Sequence, residues 1–448
     1  MNPYFDPERY PTLSEDGARM LKFLREHPQA PIYRNTSGNR LTHKDLEQLT
    51  TFERKLNQSR VDWDANSSPG WLNAFAEQVY REVPFYRAQG IAPRFTDITP
   101  VSRADYSRDI AAFVPDNAPI DRMINFRTTG TSGNPLLIAS HPRVAATYLC
   151  FHRQALRRFG IELTPGPQQV GVVLVGHQRR CFTYVSVTPQ LGESGLAKIN
   201  LHPDDWHNPD DRAAYLDALN PEIYTGDPLS FSELKNLPLR TKPRTLISVG
   251  MMLSDGLKAE LEDHFNAPVL DIYSLNEAGP VGLFDANLGG HLLLQPELYV
   301  EILDPQGHPV AAGERGEITL TGGFNFCLPL LRYRTGDYAS MTYSAEGPLL
   351  TGLSGRTPVR FRTQTGEWIN NIDITHALRP LPLAQFGLHQ SADGTLTLSL
   401  ASASLHHATT STQALQTIFG NQPIAINTIA AEDKILQYTS DLEGGTLQ

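Results

Sequence analysis

Val170-Gly171-Val172-Val173-Leu174-Val175 is a near-continuous valine-rich run. A strand with one wet face alternates apolar and polar residues, whereas a strand covered on both faces of a parallel sheet stays apolar throughout. The run therefore reads as a strand buried on both sides. Further short apolar runs follow at 222 to 224, 245 to 249 and 269 to 273, and residues 253 to 265, between the last two, have helical spacing. Strand, helix and strand in that order fit a right-handed crossover in a parallel sheet. The fold class read from the centre of the chain is α/β.

Outward from this centre the texture changes. Upstream, residues 14 to 27 and 43 to 58 place leucines three apart among charged neighbours, as helices do, with Pro28 and Pro31 between them. Asn66-Ser67-Ser68-Pro69-Gly70 is a break before a further amphipathic helix over 71 to 80. Downstream of about 291, residues 298 to 303 and 317 to 320 alternate, and Asp304-Pro305-Gln306-Gly307 is a turn between strands. This predicts an antiparallel, β-rich subdomain. Leu353-Ser354-Gly355-Arg356 opens a last segment with a strand pair, a polar loop at Ser391-Ala392-Asp393-Gly394 and a helix over 412 to 419. The expected organisation is a large domain over 1–353 and a small α+β domain over 354–448.

The formal charge of -10 over 448 residues argues against a nucleic-acid-binding surface, and Arg179-Arg180 is a local pair rather than a basic tail. Cys150, Cys181 and Cys327 are too scattered for a disulfide framework or a zinc motif, so core packing is expected of each. The first residues are polar, and no run approaches the ~18 apolar residues that a membrane helix needs. A soluble, cytoplasmic protein with no membrane partner is expected.

Three segments carry the chemistry. Thr128-Thr129-Gly130-Thr131-Ser132-Gly133-Asn134-Pro135 sets backbone N–H groups and hydroxyls in a small arc that suits phosphate oxygens. Alone, such a loop is more often a mobile turn. Tyr273-Ser274-Leu275-Asn276-Glu277 and Leu331-Arg332-Tyr333-Arg334-Thr335-Gly336-Asp337 follow it. In that order and spacing the three resemble the acyl-adenylating superfamily of acyl-CoA ligases, adenylation domains and luciferases, and within it the phenylacetate–CoA ligase-like branch. The resemblance implies a large adenylate-forming domain of mixed sheets with a β-rich subdomain, and a small C-terminal lid that pivots over the active site. It implies ATP and Mg²⁺ as cofactors, a small-molecule carboxylic acid as substrate, CoA as acyl acceptor, and allows a homodimer.

Residue by residue, the resemblance assigns Thr128, Thr129, Gly130, Thr131, Ser132 and Gly133 to the β- and γ-phosphates, although the family's lysine is here Asn134. Tyr273 would stack on adenine, with Ser274 in the same nucleotide site, and the backbone of Ser248-Val249-Gly250-Met251-Met252, Gly250 and Met251 among them, would lie along the base; core packing accounts for the two methionines equally well. Asn276 stands where a threonine usually meets the α-phosphate, and Glu277 would ligate Mg²⁺ as a hard oxygen donor should. A strand end followed by a capped turn, with Glu277 solvated, is the plainer alternative. Asp337 would accept hydrogen bonds from both ribose hydroxyls, while Arg332 and Arg334 could simply pair with acidic side chains. Gly355-Arg356 resembles a hinge signature whose Arg356 reaches the nucleotide, but Pro358 and Val359 stand in place of its two aspartates. Lys434, the only lysine after Lys258, would bridge the substrate carboxylate and the α-phosphate; otherwise it is a surface lysine beside Glu432 and Asp433. The acid pocket would draw on His177, Tyr184, Tyr224, Gly226 and Asp227.

The activity so implied is activation of a carboxylic acid to an acyl-adenylate with pyrophosphate release, then transfer to the CoA thiol. The altered hinge favours an amine or carrier-protein thiol as acceptor instead. Asn134 and the missing hinge aspartates also fit a nucleotide-binding homologue without catalysis.

Overall fold

The computed structural model describes residues 6–127, 136–355, 359–429 and 435–445. They fold into two compact units, one of residues 1–39, 163–271 and 357–448, the other of 40–162 and 272–356.

Three strands of the first unit, Thr245–Val249, Ile223–Gly226 and Val170–Gly176, are those the apolar runs predict, and Ser194–Asn200 and Tyr184–Thr188 extend the sheet beyond them. They lie in that spatial order. All neighbours are parallel except the last pair. Helix Glu15–Glu26 packs on the Tyr184–Thr188 and Ser194–Asn200 strands, burying Met20, Leu21 and Leu24, and Ser14 caps it by accepting from the Gly17 N–H. Helix Asp255–Phe265 starts at the Ser254 cap and buries Leu257, Leu261 and Phe265, the apolar spacing read from the sequence.

Within the same unit the C-terminal segment keeps its own hydrophobic core of Phe361, Ile374, Leu398, Leu415 and Phe419. Strands Ile424–Ile429, Leu396–Ala401, Phe386–Gln390 and Tyr438–Ser440 form its four-stranded sheet, with helices Asn371–Leu378 and Ala408–Phe419. The Ser254 hydroxyl donates to the Leu383 carbonyl at 3.2 Å. Gly256 is tied to this contact, because a Cβ there would stand 2.4 Å from the Leu381 carbonyl carbon.

The main strands of the second unit pair antiparallel, as the sequence downstream of 291 predicts, and the short Val101–Ser102 strand adds a parallel pairing with Tyr333 and Arg334. Leu298–Leu303, Arg315–Gly322, Leu330–Ser344, Gly347–Gly355, Gly290–Leu293 and Gly279–Asp285 follow one another in space. The alternation of 298 to 303 and 317 to 320 does not translate into one wet face, since these strands are buried on both sides. The acidic positions are Glu301 and Glu317, and each is neutralised where it is buried. Arg332 grips Glu301 with Nε at 3.2 Å and Nη2 at 3.1 Å, and Arg334 pairs with Glu317. Helices His43–Gln58 and Pro142–Arg158 pack on each other. The Ile124–Arg127 and Leu137–Ser140 strands pair antiparallel on either side of the glycine-rich segment.

Candidate active site

Two of the singled-out segments meet in the second unit. The Tyr273 hydroxyl donates to Asp337 Oδ2 at 2.9 Å. Burial, together with the neighbouring Asp337 carboxylate, pushes the Tyr273 hydroxyl well above its ordinary pKa, so it stays a donor. Asp337 sits at a bulge within the Leu330–Ser344 strand, where the register with Arg315–Gly322 shifts. Gly336 has φ 81° and donates its N–H to Glu317 Oε1 at 3.0 Å, while the Asp337 N–H reaches Thr335 Oγ1 at 3.0 Å. Gly355 lies opposite Asp337 in the sheet register, where it adds no side chain.

The segment 276 to 280 is clamped from three sides. The Tyr148 hydroxyl donates to the Asn276 carbonyl at 2.9 Å. The Tyr333 hydroxyl donates to Glu277 Oε1 at 2.6 Å. The amide of buried Gln295 donates to the Ala278 and Pro280 carbonyls, both at 2.7 Å. Between those carbonyls Gly279 has φ 72°, and the Phe324 ring lies 2.5 Å from where its Cβ would be, so only glycine fits. Asn276 is exposed, whereas Glu277 is 4% exposed. The solvated Glu277 of the plainer alternative is thus not what is found. Ser274 pairs with Pro280 in the adjoining strand.

The hexapeptide 332 to 337 divides its duties by strand alternation. Arg332 and Arg334 point to Glu301 and Glu317, resolving their ambiguity in favour of structural pairing. Arg332, with φ 45°, also donates to the carbonyls of Thr96, Ile98 and Gly307. Tyr333 and Asp337 reach Glu277 and Tyr273 instead.

The positions expected to line the acid pocket lie in the first unit. His177 is half-buried, its ring 5.8 Å from that of His202. Burial raises the Tyr184 hydroxyl to about 12. Tyr224 is 1% exposed and packs among the core of this unit, with burial raising its hydroxyl. Gly226 leaves no room for a side chain, since a Cβ would meet Val175 Cγ2 at 2.8 Å. Asp227 caps helix Pro228–Lys235, accepting from the Ser230 N–H at 2.9 Å and hydroxyl at 2.7 Å. Gly250, φ 77°, is exposed. Met251 packs against the main core of this unit and Met252 against the C-terminal one. Thr128, Thr129, Gly130, Thr131, Ser132, Gly133, Arg356 and Lys434 lie outside the described residues.

Among the described residues no group of three or more His, Cys, Asp or Glu could hold a metal ion. Mg²⁺ bound with a nucleotide needs fewer, one or two carboxylates beside phosphate oxygens and water. A buried, oriented Glu277 fits that donor set. Cys150 and Cys327 are buried and Cys181 half-buried, all as free thiols, and no described helix is long and apolar enough to cross a membrane.

Solved structures share this architecture over nearly its whole length. A 2-hydroxyisobutyryl-CoA ligase in the postadenylation state with 2-HIB-AMP superimposes with a TM-score of 0.61, covering 85% of this chain and 95% of that one at 17% identity. The chain has the acyl-adenylating ligase fold. Sequence relatives match over shorter stretches. The phenylacetate–coenzyme A ligase of Escherichia coli is 34% identical over 88 residues, 19% of this chain and 20% of that enzyme. A chalcone synthase of Aspergillus candidus is 28% identical over 183 residues, 35% of this chain and only 6% of that protein. The chain thus spans a fifth or less of the length of these two relatives. No family model matches it.

Sequence reading did not single out Tyr333, Tyr148 or Gln295, the three side chains that hold the 276–280 segment. For Tyr333 the signal was available, because it alternates with two arginines and shares strand parity with Asp337. Tyr148 and Gln295 carry no such signal; only the chain path brings them to the 276–280 turn.

Proposed function

We propose that the chain is an ATP-dependent acyl-adenylate-forming ligase that activates a small carboxylic acid with Mg²⁺ and passes the acyl group to CoA. A carboxylate is a poor electrophile because its charge is delocalised and it has no leaving group. Attack of its oxygen on the α-phosphorus of ATP expels pyrophosphate and gives a mixed anhydride whose later leaving group is AMP. Such a catalyst must fix the nucleoside, shield phosphate charge and align the carboxylate with phosphorus.

The meeting of Tyr273, Asp337 and buried Glu277 at one place carries the reading. Asp337, held by the Tyr273 hydroxyl, would accept the ribose hydroxyls. Glu277, with phosphate oxygens, would hold Mg²⁺, which neutralises charge on the triphosphate. Asn276, exposed beside it, would donate to the α-phosphate, and Thr128, Thr129, Gly130, Thr131, Ser132 and Gly133 would cradle the outer phosphates. Lys434 would bridge carboxylate and α-phosphate, and Arg356 would reach the nucleotide. CoA as acceptor is supported by the likeness to a 2-hydroxyisobutyryl-CoA ligase with 2-HIB-AMP and CoA, at a TM-score of 0.51 and 18% identity. Pro358 and Val359 at the hinge favour a second reading, transfer to an amine or a carrier-protein thiol.

The test is ATP–pyrophosphate exchange over a broad panel of carboxylic acids, with Mg²⁺ and without CoA. Acid-dependent exchange is expected, and Lys434→Ala should slow it by ~3–4 kcal/mol of lost transition-state stabilisation while leaving ATP binding intact. A wild-type protein that binds ATP yet exchanges with no acid refutes the reading.

A further inference from the structure

The buried tyrosines around Glu277 have no place in the assignments above. Tyr333 is fully buried, and its ring stacks on that of Tyr106 with centroids 4.9 Å apart and planes 18° from parallel. Tyr106 stands against Phe113 on its other flank, at 4.3 Å. The stack leaves the Tyr333 ring little freedom, and the strand pairing of Val101 with Tyr333 fixes its backbone. Its hydroxyl is therefore a preset donor, aimed at one oxygen of one carboxylate.

A carboxylate has two oxygens and rotates about its last bond. A donor on Oε1 selects one rotamer and occupies lone pairs of that oxygen only, leaving Oε2 for another partner. Outer-shell donors of this kind set the orientation of a ligating group.

We propose that Tyr333 is a positioning residue for Glu277, orienting the carboxylate so that Oε2 is turned toward a nucleotide-bound divalent cation. This rests on the function proposed above and adds to it a residue that acts through Glu277, without touching substrate.

The experiment measures binding of Mn²⁺ to the full chain in the presence of α,β-methylene-ATP, by the loss of the free-ion EPR signal, in wild type, Tyr333→Phe, Glu277→Gln and the double variant. Tyr333→Phe keeps the ring stack, and its fold is checked by thermal unfolding. Mn²⁺ affinity should fall about 10-fold in Tyr333→Phe, the usual cost of losing an outer-shell partner, while affinity for the metal-free nucleotide stays as in wild type. In the Glu277→Gln background the same change should add nothing, because Tyr333 has no carboxylate left to orient. Unchanged Mn²⁺ affinity in a folded Tyr333→Phe protein overturns the inference, as does a loss of the same size in the Glu277→Gln background. Failure of Tyr333→Phe to fold together with unaltered Mn²⁺ binding by Glu277→Gln also overturns it. A wild type that binds Mn²⁺ with the nucleotide but shows no acid-dependent exchange breaks the proposed function alone, and the affinity ratio still decides the role of Tyr333.

Discussion

Two sets of strand-end residues were expected to be functional, and the structure treats them differently. In the second unit, side chains from segments far apart in sequence reach each other, Tyr273 to Asp337 and Tyr333 to Glu277. In the first unit, Tyr224 packs into a hydrophobic core and Asp227 spends its carboxylate on the first turn of its own helix. Polar residues at the ends of parallel strands are common because helices begin there and need caps. A hydrogen bond between two distant motifs has no such local excuse. Convergence of separate segments is therefore the stronger mark of a site than position at a strand end.

The largest effect that tests this contrast lies inside a single motif. Arg332 shares the hexapeptide with Asp337 yet is bound wholly to structure, with side-chain exposure of 2% against 4% for Glu301. Arg332→Ala would leave that carboxylate buried and unpaired, and should cost ~3–5 kcal/mol of stability. Denaturant unfolding would read the loss. A variant of wild-type stability with weakened nucleotide binding would move Arg332 from scaffold to site and dissolve the division of duties by alternation.

Asp337→Ala should do the reverse. Loss of hydrogen bonds to a charged group costs ~1.5–3 kcal/mol, so ATP affinity, measured by calorimetry, should fall roughly 10- to 100-fold. Unfolding should move little, because Asp337 is only partly buried. Unaltered ATP affinity would remove Asp337 from the nucleotide site, and with it the main support for convergence as the mark.

The smallest effect concerns the other side of the comparison. Asp227→Ala removes an N-cap and should lower stability by ~1 kcal/mol. If instead stability holds and the KM for the activated acid shifts, the carboxylate belongs to the pocket and strand-end position was the better guide there.

Much of the fold was readable because it follows from local periodicity. The Val170–Gly176 strand, the Thr245–Val249 strand and the helices Glu15–Glu26, His43–Gln58 and Asp255–Phe265 match their patterns to within a few residues. Alternation over 298 to 303 and 317 to 320 marks an antiparallel strand pair, and the strands are there; what the alternation does not carry is their surroundings, because Arg332 and Arg334 bring neutralising charge to Glu301 and Glu317 and both faces are covered. A pattern records polarity, not water.

The sequence by itself determined the elements, the class of fold and which segments could carry nucleotide chemistry, because these depend on spacing and residue type along a few turns or strands. The tertiary structure alone decided which of those residues act together. Tyr148 lies 128 residues from Asn276, and Tyr333 lies 56 from Glu277; no local rule links them. Their contacts exist because the fold packs distant elements a few ångströms apart, and for Tyr333 and Glu277, both buried, an unmet donor and acceptor would each carry the cost of desolvation.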